Sequence, residues 1–172
     1  MTTLAKPREL SNRTRRGRAI NSIAEFLRSS LTVPNIYIEP HIHPHLDLLA
    51  VDRGGGGDLH GVEVEIPSAP LGPVALEGTL IIPLSQLNEH PTHYKYLALP
   101  KTGALLRILP KLQLFSSDGI GRTGILLLSE QADGLPLVEI AIKPERYRVS
   151  SASMEKVDKF LAKNRPDIEV RI

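Results

Sequence analysis

"HLDLLAVDRGGGGDLHGVEVEIP", residues 45–67, sets three carboxylates into segments whose other residues belong in a core. Asp47 stands among Leu46, Leu48, Leu49, Ala50 and Val51, while Glu63 and Glu65 alternate with Val62, Val64 and Ile66. Side chains alternate across a strand, so Glu63 and Glu65 share one face. The run "RGGGGD" (53–58) reads as a hairpin turn between the two segments. Directly opposed residues of a hairpin share a face, so the register decides where Asp47 goes. Pairing with Glu63 or Glu65 brings all three acids together, and pairing with Val64 separates them.

Three carboxylates converging among apolar strands repel one another unless some are protonated or a cation neutralises them. Oxygen donors favour Mg²⁺, Mn²⁺ or Ca²⁺. Mg²⁺ held by one or two carboxylates plus a substrate phosphate is the usual arrangement for metal-assisted phosphodiester hydrolysis. The alternative is a solvent-facing hairpin, since "VEVEI" alternates as a half-exposed strand would.

Around this stretch the elements follow a clear order. Ile20, Ile23, Ala24, Leu27 and Leu31 recur at helical spacing and predict a helix over 18–31, with Arg18, Asn21, Glu25 and Arg28 on its polar stripe. Pro34 ends it. Strands are expected over 35–40, 46–52 and 59–66. The segment 75–90 predicts a helix with Pro83 in its first turn, with residues 79–82 open to an extended reading. "YKYLALP" (94–100) reads as a buried strand, and 102–109 as a helical segment interrupted by Pro110. Strands over 122–130 and 135–144 flank the turn "QADG"; a helix over 153–164 has Ser153 as its N-cap, and 167–172 reads as a closing strand. Short turns pair the first three strands antiparallel, and the strand after the middle helix can join them in parallel. The expected fold is α/β, a mixed β-sheet flanked by helices.

The chain has 172 residues, enough for one domain with its own core. It has no cysteine, which excludes disulfides, thiolate metal sites and a cysteine nucleophile. Aromatic residues are only 4% with no tryptophan, which argues against a base-stacking platform. No apolar run reaches the roughly 18 residues of a membrane span, and the polar, basic N-terminus lacks a signal-peptide core. The chain therefore reads as cytoplasmic, with no membrane partner. Residues 1–28 hold seven Lys/Arg against two Glu, residues 29–100 two against eight Asp/Glu, and residues 101–172 twelve against nine. An acidic centre between basic ends suits a cation site flanked by phosphate-attracting surfaces, and solvated helix faces and a solvated tail would give the same tally. Residues 1–17 are expected to form a basic N-terminal arm and residues 18–172 a single α/β domain.

The Asp, hairpin, Glu-x-Glu pattern resembles the core of the PD-(D/E)XK nuclease superfamily, which includes many restriction endonucleases and Holliday-junction resolvases. Asp47 matches the family's first acid and Glu63 its second, and Glu65 stands where the family's lysine usually stands. The resemblance covers roughly residues 18–100. It departs from the pattern at that lysine and at the absent proline before Asp47. The resemblance implies a restriction endonuclease-like core and divalent-metal-dependent endonuclease cleavage of DNA, double-stranded or branched. Asp47, Glu63 and the carbonyl of Val64 would hold Mg²⁺ or Mn²⁺, and Glu65 would accept a proton or add a ligand. Glu25 would be an auxiliary catalytic group; it can equally pair with Arg28 one helical turn on. Arg13, Arg15, Arg16 and Arg18 would contact phosphates without reading sequence. Many relatives cut as homodimers, which implies a homodimer here. A module of the same fold without catalysis is the second reading.

Two other patterns compete. "HIHPH" places His41, His43 and His45 at alternate positions, as in the metal-binding motif that cupins carry, although no second cupin motif follows. "GIGRTG" (119–124) fits a dinucleotide fingerprint only if a helix follows, and "ILLLSE" is strand-like. His90 and His93 flank Pro91 in a loop, without a third ligand to pair them.

Overall fold

The computed structural model describes residues 13–40, 42, 45–52, 57–115, 122–132 and 134–167. The fold is α/β. Helix α1 (Arg15–Ser29) leads into strands β1 (Asn35–Ile38), β2 (Leu48–Val51) and β3 (Leu59–Val64). Helix α2 (Pro73–Glu89), strand β4 (Tyr94–Pro100), helix α3 (Gly103–Phe115), strands β5 (Gly124–Ser129) and β6 (Leu137–Ile142), and helix α4 (Ser151–Lys163) follow. The strands form one mixed sheet in the order β1-β2-β3-β4-β5-β6. The pairs β1–β2, β2–β3 and β5–β6 are antiparallel, and β3–β4 and β4–β5 are parallel.

The apolar runs explain this order. Strands β3, β4 and β5 sit at the centre with helices on both faces, which is why β4 and β5 read as continuous apolar segments. On one face, Ile20, Ile23 and Leu27 of α1 cover Ile36, Leu48, Val62, Tyr96 and Leu126. On the other, Leu80 and Leu87 of α2, Ile108 of α3 and Val157 of α4 cover Leu49, Leu59, Leu97, Leu99 and Leu127. The α2 helix ends at the ammonium of Lys95, which donates to the carbonyl of Asn88 at 2.8 Å and lies 4.2 Å from the ring centroid of Tyr147. A cation at that end suits the helix dipole.

Several boundaries differ from expectation. The helix begins at Arg15, with the Thr14 hydroxyl capping the Gly17 amide at 2.9 Å, so residues 15–17 belong to α1 and not to a separate arm. Pro73, not Pro83, occupies the first turn of α2, and Pro83 lies buried in mid-helix. Helix α3 likewise continues through Pro110. Each proline removes one ladder hydrogen bond, and burial of Leu80 and Leu87 in α2 and of Ile108 and Leu112 in α3 offsets that local cost. The N-cap of α4 is Ser150 rather than Ser153; its hydroxyl accepts the Ser153 amide. The closing strand expected at 167–172 lies outside the described residues apart from Asp167, whose amide donates to the carbonyl of Ile36 at 2.8 Å. The glycines 54–56 of the hairpin turn, His41, His43 and the first half of "GIGRTG" (119–121) also lie outside them.

Candidate metal centre

The register of the β2–β3 hairpin pairs Leu48 with Val62. The next residue outward on each strand is Asp47 and Glu63, so both acids reach the same level and the same face. The Asp47 amide donates to the carbonyl of Val62 at 3.1 Å, and its side-chain Oδ2 accepts the Val64 amide at 2.6 Å. These two bonds fix Asp47 across the mouth of the hairpin. One ligand atom from each of His45, Asp47 and Glu63 lies within 4.8 Å of the others. Glu65, two residues beyond Glu63, lies on the same face by alternation. The solvent-facing hairpin is therefore not what forms. Asp47 has no exposed surface, and Glu63 is 8% exposed.

Burial in this position disfavours charge. It pushes the Glu63 carboxyl up to about 7, and repulsion from Glu65 adds to the effect, while Arg16 opposes it. Burial also raises Glu65, again opposed by Arg16. Among the described residues, Glu63 Oε2 has no hydrogen-bond partner although it is buried. A buried carboxylate oxygen without a donor is an unfavourable arrangement that a cation would relieve. The residues present fit a small divalent ion: two carboxylates, an imidazole at the solvent side and a nearby backbone carbonyl.

Arg16 enters from the first turn of α1. Its Nη2 donates to Asp47 Oδ1, and its Nη1 to the carbonyl of Val64 at 3.3 Å. Expected as a phosphate contact, Arg16 is instead tied to two of the three groups assigned to the metal. His45, expected only as part of the cupin-like His pattern, places Nδ1 4.0 Å from Asp47 Oδ1 with 61% of its side chain exposed. Its place two residues before Asp47 is the signal that could have found it, since alternate residues share a strand face.

Glu25 stands apart from this cluster. It is exposed and accepts from Arg28 Nη2 at 2.6 Å, the helical pair that its spacing allowed. Arg15 faces Glu130 at 3.8 Å, with both side chains exposed. His93 has a structural place: its Nδ1 accepts the Leu59 amide at 2.9 Å, which ties the loop before β4 to the start of β3. His90 is 2% exposed, and burial drives its imidazole down to about 3.

No protein-family model matches the chain, and no curated protein matches it. Among solved structures, a protein of unknown function from Silicibacter pomeroyi is similar, with a TM-score of 0.51 at 16% identity over 93% of this chain and 86% of that one. That likeness concerns the fold alone. Among the described residues, no helix is long and apolar enough to cross a membrane.

Proposed function

We propose that the protein is a divalent-metal-dependent nuclease that hydrolyses phosphodiester bonds of DNA. The observation that carries the reading is the close approach of His45, Asp47 and Glu63, with a buried Glu63 oxygen that has no donor among the described residues. The order helix, three antiparallel strands, helix, parallel strand supports a restriction endonuclease-like core. The open mixed sheet with helices on both faces does not suit the cupin alternative, which needs a β-barrel.

In this reading Asp47, Glu63 and the carbonyl of Val64 hold Mg²⁺ or Mn²⁺. His45 is a further donor, and its imidazole shifts preference toward Mn²⁺. A bound ion would polarise the scissile phosphate and lower the pKa of an attacking water. Glu65 stands beside Glu63 with its basicity raised by burial, and accepts the proton that the water loses. Arg13, Arg15 and Arg18 surround the N-terminal end of α1, whose first turn contains no acid and whose dipole favours phosphate. A homodimer would be sought on α2, where Val74, Ile81 and Ile82 are exposed.

The second reading, a DNA-binding module without catalysis, is favoured by one observation: Arg16 already neutralises Asp47. Nicking of supercoiled plasmid separates the two. The nuclease reading expects cleavage with Mn²⁺ or Mg²⁺, none with EDTA, and loss in Asp47→Ala and Glu63→Ala. Absent cleavage with retained, salt-sensitive binding would establish the module.

A further inference from the structure

The geometry points to Arg16 as a tethered competitor of the metal ion: guanidinium and ion are alternative occupants of the same oxygens, and loading the ion requires Arg16 to leave. This rests on the metal-centre reading proposed above.

Asp47 offers two carboxylate oxygens. Oδ2 already accepts the Val64 amide at 2.6 Å, so Oδ1 is the oxygen with more lone-pair capacity for a cation. Arg16 Nη2 occupies Oδ1, and Arg16 Nη1 occupies the carbonyl of Val64 at 3.3 Å. A guanidinium held by both and a divalent ion on the same oxygens would set like charges at contact distance, so each disfavours the other. Arg16 is also free to go. Its side chain is 44% exposed, whereas that of Asp47 is fully buried. It stands in the first turn of α1, two residues past the Thr14 cap, where a long side chain can swing to solvent without unwinding the helix.

The arrangement resolves a conflict that the carboxylates create. Without an ion, Asp47 needs a counter-charge, and Arg16 supplies one from within the chain. Arg16 does not give Glu63 Oε2 a hydrogen bond, so one donor position stays ready for the ion. Once displaced, the guanidinium is released at the rim of the site, where a substrate phosphate would take it up.

Mn²⁺ binding to the full chain, measured by calorimetry and by electron paramagnetic resonance of the free ion, tests this without reference to cleavage. Arg16→Ala and Arg16→Gln are compared with the parent; the glutamine keeps a hydrogen-bond donor and protects against a folding failure. Competition expects Mn²⁺ to bind at least tenfold more tightly in both variants than in the parent. It also expects the melting temperature of Arg16→Ala to fall in EDTA and to recover with Mn²⁺ more than that of the parent rises. Equal or weaker binding in the variants, with binding still abolished by Asp47→Ala, would overturn the competition and leave the metal centre standing. No Mn²⁺ binding in any of these proteins would overturn both.

Discussion

Asp47 accepts the amide of Val64 at 2.6 Å across the mouth of the β2–β3 hairpin, so the acid on one strand is oriented by the backbone of the other. The bond does two things at once. It satisfies an amide at the end of β3, and it leaves the other oxygen of Asp47, Oδ1, 4.0 Å from His45 Nδ1. Asp47→Ala therefore removes a metal ligand, a backbone acceptor and the partner of Arg16 together. Asp47→Asn keeps an acceptor for the Val64 amide and loses only the charge. Loss of groups that merely orient metal ligands lowers affinity roughly 10–100-fold, so loss of the ligand's charge should lower Mn²⁺ affinity by about 100-fold or more. Calorimetry on a folded Asp47→Asn protein checks this, and unchanged Mn²⁺ affinity would remove Asp47 from the ligand set.

Glu65 and Glu63 share a face, and the proposal gives them different work. Glu63 binds the ion and Glu65 accepts a proton. Removing a positioned general base typically costs about 10²–10⁴ in rate. Glu65→Gln should therefore lower kcat by about 100-fold or more while changing Mn²⁺ affinity by less than about tenfold. Glu63→Gln should instead weaken Mn²⁺ binding first. Single-turnover cleavage at saturating Mn²⁺ separates the two. If Glu65→Gln loses metal affinity and keeps its saturated rate, Glu65 is a ligand and not a base.

The central strands and the flanking helices were legible because burial on both faces leaves unbroken apolar runs such as "YKYLALP" and "GILLL". The carboxylate cluster was legible only as a pair of alternatives, since a one-residue slip moves Asp47 to the other face and composition does not choose between the registers. Hydrogen bonds choose: Asp47 reaches both Val62 and Val64 of β3. The part played by Arg16 could not be read at all. It lies 31 residues from Asp47 and looks like any other member of a basic run, and only the packing of α1 onto the sheet brings its guanidinium to the hairpin mouth. Pro83 and Pro110 lie inside helices for a related reason, because burial of Leu80, Leu87, Ile108 and Leu112 overrules proline's local disfavour of helix.

The carboxyl of Glu63 rises from an ordinary 4.5 to about 7, chiefly through burial. Between those two values the folded chain binds more protons at this site than the unfolded chain does. Stability from Glu63 is therefore present at the acid side of the window and is lost as pH rises from about 4.5 to about 7. Glu63→Gln should remove this loss. Urea unfolding in EDTA across pH 4.5–7.5 measures it; an unchanged slope in the variant would show that Glu63 ionises at its ordinary pH. Mn²⁺ should reverse the trend, because the ion binds the ionised form and its affinity should climb through pH 7.

His90 works in the opposite sense. Burial lowers its imidazole from 6.5 to about 3, with Lys95 and His45 adding repulsion. The unfolded chain takes up the proton first, so stability from this residue is present above about 6.5 and is lost as pH falls toward 3. Neither ring nitrogen has a hydrogen-bond partner among the described residues. His90→Phe replaces the ring with one that has no polar atom to desolvate, and should stabilise the fold by about 1 kcal/mol at neutral pH. It should also move the acid unfolding midpoint to lower pH. Circular dichroism during acid titration checks both, and a destabilised variant with an unshifted midpoint would show that the ring nitrogens are satisfied in solution.

Phosphate contacts leave a signature that does not depend on cleavage. Arg13 and Arg15 are exposed and Arg18 is half-buried around the start of α1, which presents its positive dipole end with no acid in the first turn. Each phosphate neutralised by such a residue contributes about 0.9 to the slope of log affinity against log salt on duplex DNA. The double variant Arg13→Gln/Arg18→Gln should therefore lower that slope by about 2, and should weaken binding alike on duplexes of unrelated sequence. Fluorescence anisotropy over a salt series in EDTA gives the slope without cleavage intervening. A slope equal to that of the parent would show that DNA, if bound, is held elsewhere. The basic residues of 101–172 would then be the ones to vary, because the twelve Lys/Arg in that segment outnumber its nine acids.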